Sequence, residues 1–477
     1  MLHQRPELIP PVPSPDDAAR WEHTSLRQRL MMGMWRADLE QAIQEHIGRV
    51  RRGAWGKPDL SSNVAKSISV QLAVLYNMWP TVSHPSESEG TFLGPKGALA
   101  TSGIWSLMQR VQAYTIACRE FIVRLDASES GVIRTRPVWP NNVHARSLAA
   151  DPMRPVVLEE ARLLDHPETG EPEWVWECFD ISDPEKPVWK YERRTHDRAV
   201  EDVSALYIDG GRQEGAAYQY RYADGRPFIP AVMYHAALTG QLWDAFEGVE
   251  VIEGSVNASV GWSFWFHCLR DASWPQRYAV GADVPGANTV DEEAGRRREL
   301  VTDPTSLLML ESAGEGQAIV GQFQPGADVG DLADALAKFE ARVAEFAGVS
   351  PADIQRLGGQ ARSGYAISIN RAGQRAAAAK MEPIYRLSDL ELIGKAAALL
   401  NRATGSRLPE SDYSISYAGV PKSAEEAKAE RDHIESMMDR GLMSPVDALM
   451  YLHPDWSRSH ATAELDRIRR ERLAYGA

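Results

Sequence analysis

Cysteine is scarce in this chain: Cys118, Cys178 and Cys268 are three in 477 residues, odd in number and far apart. That argues against a disulfide framework or a thiolate zinc site, and it predicts folding in a reducing, intracellular compartment. Long apolar runs are missing as well. No stretch approaches 18 uninterrupted apolar residues, and the N-terminal MLHQRPELIPPVPSPDDAARW has neither a charged segment leading into an apolar one nor a lipidation signature. Neither a membrane span nor export by that route is expected. Basic residues are in deficit, 52 Lys and Arg against 66 Asp and Glu, for a net charge of −14. Tight, non-specific binding to nucleic acid needs clustered cations, so any contact with DNA is expected to be a slippery one.

Catalytic signatures are also missing. There is no G-x-x-x-x-G-K-[ST] phosphate loop, since Gly394-Lys395 lacks both the preceding spacing and the following hydroxyl. H-E-x-x-H, C-x-x-C, G-x-S-x-G and G-x-G-x-x-G do not occur, which removes the usual support for zinc, nucleophile-elbow and dinucleotide chemistry. No metal, no cofactor and no enzymatic activity are expected. The neighbouring carboxylates Glu159 and Glu160, and Asp389 and Glu391, read as solvated surface groups. The triplet Arg296-Arg297-Arg298 is surrounded by Glu292, Glu293 and Glu299 and reads as a self-neutralised helix face.

What is present is an ordered succession of patterns, of overall class α+β. The length prior is about three domains. Helical spacing over Trp21 to Val50 breaks near Gly33, and further helices are predicted over Ser61 to Asn77 and Gly103 to Glu120. From Phe121 to His235 the grammar changes to short β-rich runs, including RPVVLEEARLL, EWVWECFDI, VWKYERR, AYQYRY and FIPAVMYH, separated by DHPETGEP, SDPEKP and ADGRP. This predicts an antiparallel meander. Its tryptophans, Trp139, Trp174, Trp176 and Trp189, suit core positions better than a carbohydrate platform.

Helical spacing resumes at about Asp244 and stops at Trp274-Pro275. In it Gly254, Ala258 and Gly261 share one face, and from residue type alone that face reads as the close packing of a core helix within one chain. Short strands RYAV, SLLML and AIVGQF follow around a charged segment. The next helix, Asp331 to Phe346, carries Leu332, Leu336, Phe339, Val343 and Phe346 as one narrow apolar seam. A polar, glycine-containing loop from Ser350 to Arg362 then interrupts the helices, with Asp353, Gln355, Arg356, Gly358, Gly359, Gln360 and Arg362 in it. A long helix over Tyr365 to Ala403 contains Pro383, which should kink it. DYSISY reads as a short strand, Ser423 with Glu426 as a capping box, and the last residues as a helical unit.

The order of these elements, with SLRQRL, SSNVAKSISVQLAVLYNMWPTV, VWPNNVHARSL, SGYAISINRAGQ and ISYAGVPKSAEEAKAERDHIESMMDRGLMSPVDALM, resembles the portal protein, or head-tail connector, of tailed double-stranded DNA bacteriophages. The resemblance implies a wing over residues 1–242, a first stem helix over 243–274, a clip over 275–326 and a second stem helix over 327–349. A tunnel loop over 350–362, a kinked wing helix over 363–403 and a crown over 404–477 complete it. It implies a homo-oligomeric ring, usually a dodecamer, at one capsid vertex of the virion, assembled in the host cytoplasm. Its partners would be passing double-stranded DNA, the large terminase, the head-tail adaptor, the major capsid protein and a scaffolding protein, with no membrane. In that frame the polar loop would project into the DNA channel. The Gly254, Ala258 and Gly261 face would gain a use between subunits, and Arg296, Arg297 and Arg298 would form a basic patch of the clip. The competing readings are another phage structural protein and a Trp-rich hydrolase.

Overall fold

The computed structural model describes residues 14–47, 58–86, 92–94, 96–195, 199–273, 277–280, 307–310, 319–322, 328–349, 364–418, 424–452 and 456–475. The class is α+β with mainly antiparallel sheets. Among the described residues no helix is long and apolar enough to cross a membrane. The chain divides into two compact units. One holds residues 1–356 and 377–418, the other residues 357–376 and 419–477.

The first unit opens with α1 (Pro15–Met32) and α2 (Arg36–Ile47). Ser14 caps α1 by accepting the Asp17 amide, Pro15 fits the first helical turn, and Gly33 ends it at φ +74°, a left-handed turn that glycine adopts without strain. The predicted break near Gly33 is thus a capped helix end. α3 (Val64–Leu72) is shorter than the periodicity from Ser61 to Asn77 suggested, and Leu75 beyond it instead gives its amide to the Gln112 side chain. β1 (Thr81–Ser83), α4 (Ala98–Thr101) and α5 (Ile104–Cys118) follow.

The β region makes two sheets where a single meander was expected. It runs β2 (Glu120–Ala127), β3 (Ile133–Val138), β4 (Val143–Leu148), β5 (Asp151–Asp165), β6 (Pro172–Asp180), β7 (Val188–Arg194), β8 (Val200–Asp202), α6 (Ser204–Tyr207), β9 (Gln213–Glu214) and β10 (Ala231–His235). Strands β4 to β8 pair in chain order, with β9 on β7, whereas β10 leaves the meander and pairs with β2 in the order β10-β2-β3. AYQYRY is not a strand. It makes a single antiparallel bridge, Arg221 opposite Pro227, with the Phe228 amide on the Tyr220 carbonyl at 2.9 Å; Tyr218 and Tyr220 are buried, and the Tyr218 hydroxyl donates to the Phe228 carbonyl.

Register puts Glu160, Glu177 and Tyr191 side by side across β5, β6 and β7. Arg124 of β2 reaches Glu177 at 2.9 Å and Arg136 of β3 reaches Glu160 at 2.5 Å, so ion pairs join the two sheets. Burial by itself would raise the Glu177 carboxyl, yet Arg124, Arg162 and Arg136 outweigh it and hold the group below its ordinary value. On β6, Trp176 stacks on Trp21 of α1 at 6.0 Å, and the Arg194 guanidinium lies 4.5 Å above its ring.

Then come α7 (Val249–Ser273), β11 (Arg277–Val280), β12 (Leu307–Leu310), β13 (Ile319–Gln322), α8 (Val329–Phe346), α9 (Gly364–Thr404) and β14 (Ser414–Ser416). β11 is the centre of a three-stranded sheet, parallel to β12 and antiparallel to β13. The two-stranded β1–β14 pair brings the end of the first unit back to its early part. Within α9, Leu392, Ile393, Ala396, Ala397, Ala398, Leu399 and Leu400 are all buried, so this stretch is a core helix surrounded by protein.

Besides residues 364–376 of α9, the second unit contains α10 (Ala424–Asp439), α11 (Pro445–Leu452) and α12 (Arg458–Tyr475). Gly441 ends α10 at φ +68°, and the Ser444 hydroxyl caps α11 by accepting the Asp447 amide at 3.2 Å. Ser423 of the predicted capping box lies outside the described residues.

Candidate functional site

The most distinctive construction is the hairpin of α7 and α8. Gly254 lies against Val343 and Gly261 against Leu336, while the Trp265 indole donates to the Val329 carbonyl at 2.9 Å. Rising numbers on one helix meet falling numbers on the other, so the two run antiparallel. At 1.5 Å per residue they are about 37 and 27 Å long.

Close approach explains the small residues. A Cβ on Gly254 would stand 2.7 Å from Val343 Cγ2, and one on Gly261 would stand 2.4 Å from Leu336 Cδ2. Ala258, fully buried, packs with Val343 and Ala344. The face of Gly254, Ala258 and Gly261 is therefore occupied by α8 of the same chain.

A second stripe on α7 does different work. Ser255, Ser259 and Ser263, four residues apart, lie on one face and are all buried. Ser255 accepts the Ala65 amide at 3.1 Å, Ser259 donates to the Ser62 carbonyl at 2.6 Å, and Ser263 accepts the Asp59 amide at 3.0 Å. They satisfy the backbone leading into α3. Glu340 of α8 adds to this seam by accepting from the Trp262 indole at 2.7 Å and from the Ser62 hydroxyl. The spacing of these serines was legible in EGSVNASVGWSF, although sequence reasoning attended to the glycines.

The apolar residues of α8 do not form the single seam expected. Leu336 and Val343 face α7, but Phe339 is 36% exposed and Phe346 71% exposed. Each phenylalanine stands three residues after an inward one, near the same face of α8, and is left uncovered all the same. Phe266 of α7 is a third exposed ring, at 56%. The hairpin thus has a packed inner face and uncovered aromatic groups outside it.

Its root is held by charge. Before α7, Trp243 lies under the Arg20 guanidinium at 3.8 Å, Arg27 donates to the Glu247 carbonyl at 2.8 Å, and Arg119 pairs with Asp244 and Glu247 at 3.3 Å. The Asp244 amide donates to Glu120 Oε1 at 2.5 Å, while Glu120 Oε2 is buried with no partner among the described residues. Burial pushes the Glu120 carboxyl from 4.5 up to about 8, against the opposing Asp244 amide and the arginines. The folded state then holds this proton more tightly than the unfolded chain. The associated stability is full below about 4.5 and is lost as pH rises through about 8. Glu120→Gln keeps an oxygen for the Asp244 amide and removes the titration. Urea midpoints between pH 6 and pH 9 should fall for the natural chain and stay flatter in the variant. Parallel profiles would refute the assignment.

No family model matches the chain, and no curated protein matches it. Among solved structures it is similar to a chain described as the neck of a native GTA particle computed with C12 symmetry, at 11% identity and a TM-score of 0.38, over 82% of this chain and 90% of that one. It is also similar to one described as the neck of an empty GTA particle computed with C6 symmetry, at 11% identity and a TM-score of 0.39, over 85% and 98% of the two chains.

Asp353, Gln355, Arg356, Gly358, Gly359, Gln360 and Arg362 of the expected loop, and Arg296, Arg297 and Arg298, lie outside the described residues. The carboxylates read as solvated are not. Glu160 pairs with Arg136, Glu159 with Arg194 at 2.8 Å, and Glu391 with Lys395 at 2.6 Å. Asp389 is fully buried and accepts the hydroxyls of Tyr76 at 2.7 Å, Tyr234 at 2.8 Å and Tyr417 at 2.5 Å. Burial raises its carboxyl from 3.8 to about 6, with the three hydroxyls pulling the other way. These partners come from positions up to 313 residues away, so no local pattern could have revealed them.

The meander tryptophans pack inward. Trp139 meets Tyr114 and Phe121, Trp174 joins the cluster of Trp21 and Trp176, and Trp189 stacks on Phe179. Among the described residues no group of three or more His, Cys, Asp or Glu is placed to hold a metal ion.

Proposed function

We propose that this chain is a portal protein, forming a ring at one capsid vertex through which double-stranded DNA is packaged and ejected. In this reading it also docks the terminase and the head-tail adaptor. The observation that carries the reading is the exposure of three phenylalanines on the α7–α8 hairpin. Phe266, Phe339 and Phe346 are exposed on a hairpin whose inner face is already packed, and large uncovered apolar groups are what a repeated, head-to-tail contact would bury. The order of sequence elements that resembles portal proteins gives that contact its context. The acidic balance of the chain suits a channel in which phosphate must not stall. With no phosphate-loop pattern in the sequence, the energy for packaging is assigned to a separate ATPase.

Negative-stain images of the purified protein should show rings with a channel wide enough for a duplex, roughly 20 Å or more given the size of its grooves. Phe339→Asp with Phe346→Asp should leave the thermal melt of the dilute protein nearly unchanged, because exposed positions contribute little to the fold, and should abolish the rings. Compact monomers at every concentration, or intact rings in the double variant, would overturn the reading.

A further inference from the structure

A separate surface lies between α3 and α5. There a cleft of about 360 Å³ has Met31, Ala73 and Ala113 as its buried floor and Val70 and Tyr114 among its walls. The Gln109 amide donates to the Asn77 side chain at 3.3 Å across one end. Arg110 belongs to that end. Lys66, a turn before Val70, stands toward the other. Both cations are exposed and form no ion pair among the described residues.

Val70, 54% exposed, stands in the wall of the cleft, and Met31 is in its floor. Methionine adapts its shape to a partner, and an apolar cleft between two helices accommodates a third through side chains at three- and four-residue spacing. In a chain of net charge −14, two unpaired cations at the ends of an apolar cleft favour an acidic segment here and leave the rest of the surface repulsive to it.

We infer that the α3–α5 cleft docks an acidic amphipathic helix of a partner protein, its apolar side chains on Met31, Ala73 and Ala113 and its carboxylates on Lys66 and Arg110. The inference does not depend on ring formation.

A fluorescein-labelled peptide of leucine and glutamate at helical spacing, about 16 residues or four turns long, is the probe. Fluorescence anisotropy with the full chain should show saturable binding that weakens with salt. Lys66→Glu combined with Arg110→Glu should weaken it about tenfold, through lost attraction and added repulsion at the rim. Val70→Asp should also weaken it, and a leucine–lysine peptide should not bind. Thermal melts should show that these exposed substitutions leave the fold intact. No binding of the acidic peptide, equal binding by the charge-reversed variant, or equal binding of the basic peptide would overturn the proposal. So would a change in sedimentation of the peptide-free protein on Val70→Asp, which would assign the cleft to a second copy of this chain.

Discussion

Asp389→Ala should be among the most damaging single substitutions in the first unit. It would remove the shared acceptor of Tyr76, Tyr234 and Tyr417, which come from the segment after α3, from β10 and from the residue after β14. Tyr76 and Tyr234 are buried to within 2% of full enclosure, so water cannot replace the lost acceptor without rearrangement. An orphaned buried donor costs about 1–3 kcal/mol, and three sharing one site are not additive, so a total of about 4 kcal/mol or more is expected. Thermal unfolding should move down by roughly 10 °C. A double-mutant cycle isolates the cause. Tyr234→Phe should be costly in the natural chain and nearly neutral beside Asp389→Ala, since the acceptor is already gone. If Asp389→Ala melts within about 2 °C of the natural protein, this buried carboxylate does not tie the three elements together.

Gly254→Val is the second large effect expected. Even a methyl at this position would meet Val343 Cγ2 at 2.7 Å and Cγ1 at 3.2 Å, and Val343 is a β-branched side chain with little rotamer freedom. Overpacking of this kind costs about 1–3 kcal/mol. The strain falls on the hairpin proposed to carry subunit contacts, so rings should be lost at temperatures where the monomer is still folded. A size exchange tests the geometry: Gly254→Ala with Val343→Ala should recover most of the stability lost by Gly254→Ala alone. Urea unfolding and negative-stain imaging read the two effects. A Gly254→Val protein that unfolds and assembles as the natural chain does would show that α7 and α8 can separate at no cost.

Much of the local structure was legible in the sequence because it depends on neighbours in the chain. The Gly33 break, the three long strands between Asp151 and Arg194 and the paired helices around residues 249–346 all follow from periodicity, turn chemistry and capping. The close-packing character of Gly254, Ala258 and Gly261 was legible too, since residue size limits how near two helices can come. The tertiary structure decided what distant segments do to one another. It sent β10 to β2 instead of the meander, made a core of AYQYRY without a strand, and buried Asp389 under three tyrosines. It also turned Phe339 and Phe346 outward from a helix whose apolar spacing alone placed them on one seam. Periodicity records which residues share a face of one element; which face is covered, and by what, is fixed only when the other elements arrive.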